Sequence, residues 1–89
     1  MPILTAAQRE RVAYIRSLAG VRHVAFARST GALVAVYDGH AQGLDTDGGR
    51  WSTVCEDHGS VVAHEMLKLA ISHAAAPEGW CDDCREARP

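Results

Sequence analysis

The chain has no apolar run approaching the ~18–20 residues that a membrane-spanning helix requires, so no membrane span is expected. It lacks the basic-then-apolar opening of a secretory signal, which predicts a cytoplasmic protein. It has no His-Glu-x-x-His, no P-loop and no Gly-x-Gly-x-x-Gly. It has only three cysteines, a number that cannot pair off completely as disulfides. No stretch has a disordered composition, and the 47 % hydrophobic share is ordinary for a folded chain. At 89 residues the sequence fits a single domain over 1–89. A domain of this size gains only a few kcal/mol from its core and often needs a staple.

The cysteines suggest what that staple is. Cys55 and His58 form one metal-type pair and Cys81 and Cys84 another, and all three cysteines are used. Zn²⁺ in a structural site takes four N/S donors in a tetrahedron, and two x-x-spaced pairs saturate it. Gly59 follows the first pair, where such turns often need positive φ. The expectation is one structural Zn²⁺ on Cys55, His58, Cys81 and Cys84, with His73 as the runner-up for the fourth ligand. The competing reading is a redox Cys81-x-x-Cys84 with Cys55 as a buried thiol. A redox motif is expected near a βαβ pattern, which is not seen, and Asp82 and Asp83 would oppose thiolate formation.

The flanking segments read as a small α+β zinc-binding domain: helix, three-stranded antiparallel meander, helix, with two zinc knuckles. Residues 5–19 read as a helix, opened by a Thr5/Gln8 capping box and stopped at Gly20, with Val12, Ile15, Leu18 and Ala19 toward the core. The meander covers 21–55. Strands at 21–28 and 32–38 join through Ser29-Thr30-Gly31, and 50–55 sets Trp51, Thr53 and Cys55 on one face. The Gly- and Asp-rich stretch 38–50 is a loop, with a turn at Asp47-Gly48-Gly49 and a short strand at Gln42-Gly43-Leu44. It is not a calcium loop: from Asp45, the required glycine position holds Arg50. The region 55–84 is then knuckle, helix, knuckle. Its helix over 62–75 carries Ala63, Met66, Leu67, Ala70, Ile71 and Ala74 on one face, and Pro77 and Gly79 end it. His73 lies at the edge of that face, Trp80 is placed to cover the metal, and Arg85 to Pro89 form a terminal turn.

A zinc nucleobase deaminase is the sharpest enzymatic alternative, and it fails. Its signature needs His-x-Glu and Pro-Cys-x-x-Cys, whereas Ser60 follows His58-Gly59 and Trp80 precedes Cys81. Four protein ligands would also close the open position that zinc catalysis requires.

Net charge is −2, unevenly spread. Residues 1–37 hold five arginines against Glu10, a net of +4, and residues 38–89 hold ten acids against Arg50, Lys68, Arg85 and Arg88, a net of −6. Arg9, Arg16, Arg22 and Arg28 are therefore the candidate binding surface, against the plainer reading of a solvated helix face. The acidic half argues against generic nucleic-acid binding.

The run from Trp51 to Cys84 resembles short, uncharacterised zinc-binding proteins of actinobacteria and their phages. The resemblance is carried by Trp51, Thr53, Cys55, Glu56, His58 and Gly59, then Ser72-His73-Ala74, then Gly79, Trp80, Cys81 and Cys84. It implies a small zinc-binding module and brings no activity with it. The element order also resembles a double-stranded-RNA-binding domain, but the matching helix offers only Lys68 for phosphate contact. The expected function is a non-enzymatic, zinc-stabilised protein-interaction module, such as a phage or mobile-element regulator or inhibitor. Its partner is another protein, with nucleic acid as the alternative. The sequence leaves oligomeric state open, a homodimer included.

Overall fold

The computed structural model describes residues 4–39 and 49–87. Helix α1 (Ala6–Arg16) opens as expected. The Gln8 N–H donates to Thr5 Oγ1 at 3.1 Å and the Thr5 N–H donates back to Gln8 Oε1 at 2.9 Å. It ends earlier than 19. Ser17 caps it, turning its hydroxyl onto the Tyr14 carbonyl at 2.6 Å. Leu18 and Ala19 are consequently exposed rather than core.

Among the described residues, four antiparallel strands follow in the spatial order β1 (Val21–Phe26), β2 (Leu33–Asp38), β3 (Trp51–Cys55), β4 (Val61–His64). The α+β class holds, but the meander has four strands rather than three. The extra strand is formed by residues expected to start the second helix. Once the first knuckle reverses the chain, Val61 and Val62 lie opposite Val54 and Thr53 and extend the ladder. Pairing with an existing strand satisfies the backbone there, and β-branched residues suit it. The fourth strand also breaks the likeness to a double-stranded-RNA-binding domain.

Strand β2 is the axis of the core. Leu33, Ala35 and Tyr37 pack with Val12 and Ile15 of α1 on one face. Val34 and Val36 pack on the other face with Ala70 and Ala74 of α2 (Leu67–Ala74). The sheet therefore lies between two helices, and the unbroken apolar run of β2 is the pattern of a strand covered on both sides.

Helix α2 is shorter than the expected 62–75. Met66 precedes it in extended conformation, and its buried line is Leu67, Ala70 and Ala74. Met66 and Ile71, expected inward, are 53 % and 37 % exposed, and Ala63 is exposed on β4. The small alanines bring the helix close to the sheet, and the longer flanking side chains splay outward. Beyond α2 come a 3₁₀ turn (Pro77–Gly79) and helix α3 (Asp82–Ala87), which begins inside the second knuckle rather than after it. The strand expected at Gln42-Gly43-Leu44, Asp47 and Gly48 of the expected turn, and the end of the expected terminal turn lie outside the described residues.

Gly49 leads into β3 with φ +127°, and a Cβ there would lie 2.6 Å from the His64 carbonyl carbon. Gly31 in the first hairpin also has positive φ, +75°, but open space around it. Gly31→Ala should therefore cost only the left-handed backbone strain, about 1–2 kcal/mol. Gly49→Ala should cost clearly more in urea denaturation, because backbone must move as well. Equal losses for the two variants would show that the Gly49–His64 approach is not a constraint on the fold.

Candidate metal centre

The first knuckle is the β3–β4 hairpin loop. Its turn is closed by the Gly59 and His58 N–H groups on the Cys55 carbonyl, at 2.7 and 3.2 Å, and Gly59 takes φ +79° as expected. β3 delivers Cys55 on the same face as Thr53, whose hydroxyl donates to the Ala70 carbonyl at 3.0 Å. The second knuckle is built on the first turn of α3. The Cys81 N–H is anchored to the Pro77 carbonyl at 2.7 Å, and the Arg85 guanidinium ties α3 back to the Glu78 and Gly79 carbonyls.

The two knuckles bring Cys55, His58, Cys81 and Cys84 together, with one donor atom from each lying within 4.8 Å of all the others. The His58 Nδ1 stands 3.2, 3.5 and 3.3 Å from the sulfurs of Cys55, Cys81 and Cys84, and Cys55 and Cys84 are 3.6 Å apart. A tetrahedral ion with bonds of roughly 2.0–2.3 Å sets donor-to-donor edges on the order of 3.5–3.8 Å. The cluster thus has about the size of a coordination shell, and it could hold a metal ion. The three cysteines are fully buried and His58 is exposed, so the imidazole forms the solvent side of the centre.

The electrostatics fit a cation. Burial pushes the Cys55 and Cys84 thiols up, and for Cys84 contact with the other two sulfurs adds to this. Cys81 goes the other way: burial alone would raise it, but hydrogen bonds from Ser60, Cys84 and His58 outweigh that. Without a positive charge at the centre, one sulfur ionises at the expense of the others. A bound divalent ion would remove that conflict and hold all three as thiolates.

His73, the runner-up ligand, is not in the cluster. Its Nδ1 contacts the Leu69 carbonyl at 2.9 Å and its ring lies 4.4 Å from that of His64. Trp80 packs partly buried against the cluster of Ala32, Cys55, Cys81 and Cys84, and its Nε1 donates to the His73 carbonyl at 2.8 Å. Two residues inside the first knuckle do work that their sequence positions did not suggest. Asp57 accepts from Arg11 at 2.8 Å and from the Leu33 N–H at 3.3 Å. Glu56 accepts from the Tyr37 hydroxyl, and burial followed by that carboxylate pushes the phenol up, so it stays a donor. These partners lie far away in the chain, and no local spacing could reveal them.

The candidate surface arginines divide. Arg9, Arg16 and Arg22 line two adjoining hollows that share Arg16, whereas Arg28 lines a different one beside α2. No family model, curated protein or solved structure matches the chain.

Two predictions follow from this geometry. His58→Ala should lower metal content per chain, measured by plasma emission spectroscopy, while His73→Ala leaves it unchanged; the reverse pattern would move the fourth ligand. Separately, burial and then the neighbouring His73 lower the His64 pKa. The folded state therefore binds fewer protons than the unfolded chain, whose histidine titrates near 6.5. This contribution to stability is full above that pH and declines as pH falls through it. Stability measured from pH 8 to about pH 5 should fall more gently in His64→Phe than in wild type. Parallel curves would show that His64 is not part of the acid response.

Proposed function

We propose that this chain is a non-enzymatic protein-interaction module, held in shape by one structural Zn²⁺ and working in the cytoplasm. The observation that carries the reading is the convergence of four protein donors, Cys55, His58, Cys81 and Cys84, enough to fill a tetrahedral shell. A tetrahedral ion so bound has no position left for water or substrate, which a catalytic zinc needs. Three sulfurs and one imidazole nitrogen favour zinc over the harder Mg²⁺ and Ca²⁺, which prefer oxygen. A reducing compartment keeps such thiols available to the metal. No helix among the described residues is long and apolar enough to cross a membrane. We extend the proposal to a regulator or inhibitor of phage or mobile-element type, which the split charge surface, suited to electrostatic docking, favours.

A second reading, nucleic-acid binding, has one observation in its favour: Arg9, Arg16, Arg22 and Arg28 form no ion pair with a carboxylate among the described residues. The acidic remainder of the chain weighs against it, since polyanions bind clustered positive charge.

Native mass spectrometry of the untagged protein should give one zinc per chain together with the oligomeric state. Cys81→Ser should leave the domain unfolded by circular dichroism, since metal-binding energy is folding energy in domains this small. A Cys81→Ser protein that melts like wild type would make the site incidental. Immobilised protein should retain a specific protein from nuclease-treated lysate. No protein retained from that lysate, with nucleic acid retained from untreated lysate and released steeply by salt, would transfer the function to the second reading.

A further inference from the structure

The geometry points to the groove between α1 and the outer edge of β1 as the docking site for an acidic, extended segment of a partner protein. This rests on the protein-interaction reading above and names the chemistry of its partner.

The charge argument comes first. Arg11, Arg50 and Arg85 are each held by a carboxylate, from Asp57, Asp38 and Asp82. Arg16 and Arg22 are exposed and have no carboxylate partner among the described residues, and Arg9 only touches the Leu4 carbonyl, at 3.2 Å. On a chain of net charge −2, three of the arginines without a carboxylate partner among the described residues, Arg9, Arg16 and Arg22, thus lie together beside α1 and β1, while Arg28 stands apart beside α2.

The shape argument selects among anions. The hollow along α1 has an apolar floor of Leu4, Val12 and Ala13 together with Arg9 and Arg16, and the next, more polar, is lined by Arg16, Arg22 and His23 with Val21 and Val24. Arginines flanking an apolar lining suit a peptide that alternates acidic and apolar side chains; a phosphodiester backbone has no use for the apolar part.

The backbone argument sets the conformation. β1 is an edge strand that pairs only with β2, so among the described residues no strand covers its outer side. The register shift between Val21 and His23 sets Arg22 in a bulge, a device that re-aims a side chain. An edge with unpaired N–H and C=O groups accepts an extended peptide as an added strand, and pockets for its side chains supply selectivity.

The test uses the full zinc-loaded chain and a capped peptide of about eight residues, a typical strand length, alternating glutamate with valine. Amide shifts on titration should concentrate at Arg16 and from Arg22 to Val24. Reversing two exposed charges in R16E/R22E should weaken binding at least about tenfold. R16Q/R22Q, which removes charge without reversing it, should give a smaller loss, and circular dichroism with zinc stoichiometry checks that both variants fold. A lysine-for-glutamate peptide and a proline-interrupted peptide should both fail to bind. Shifts that map elsewhere, or no binding, overturn the inference. So do the same shifts produced by single-stranded oligonucleotide, or by raising protein concentration without peptide. If wild type and R16E/R22E retain the same protein from lysate equally, the docking groove is wrong and the protein-interaction reading stands. If neither retains a protein, the broader reading fails as well.

Discussion

Four donor atoms converging on one centre tie the β3–β4 hairpin to the C-terminal helix, and much else in the fold depends on that closure. Cys55 and Cys84 are 29 positions apart in the chain and 3.6 Å apart in space. Closing a loop of that length costs conformational entropy that a short chain with a small core is poorly able to offset. A metal held by all four groups opposes that cost with binding energy of the same order as the stability of a whole small domain. It would also resolve the electrostatic conflict among three buried sulfurs that cannot all ionise alone.

The centre reaches further than its ligands. Asp57, between Cys55 and His58, holds Arg11 of α1 and the backbone of Leu33. Glu56 beside it holds Tyr37 on the face of the sheet that α1 covers. Trp80, next to Cys81, grips the end of α2 through the His73 carbonyl and packs on the buried sulfurs. The two knuckles between them therefore brace both helical layers. Each helix makes only a narrow apolar contact of its own: Val12 and Ile15 for α1, Leu67, Ala70 and Ala74 for α2. Polar bridges from the metal loop are a physical reason why such thin contacts suffice to hold their orientation.

The same bridging sorts the arginines. Arg11 is consumed in bracing the knuckle, so it adds little to the outward-facing positive charge despite lying between Arg9 and Arg16 in sequence. The opposite flank of α1 keeps its charge unneutralised beside an open strand edge. Paired and unpaired arginines are thus divided between two sides of one helix, which its sequence presents as a single basic segment.

Much of the local design was legible in the sequence. Turn chemistry and short spacings act within a few residues, so the Thr5 capping box, the positive φ at Gly59, the paired ligands and the face that carries Trp51, Thr53 and Cys55 could all be read directly. Periodicity misled where a tertiary partner outweighed it. Residues 61–64 could serve a helix pattern or a strand, and only the presence of β3 beside them decided for the strand. The tertiary structure also set His58 rather than His73 beside the three cysteines, the His73 side chain being turned onto the Leu69 carbonyl and the His64 ring. It decided which arginines are paired, since Asp57 lies 46 positions from Arg11. Sequence fixes what the chain can do over short separations; contacts across long separations depend on packing, and no spacing rule encodes them.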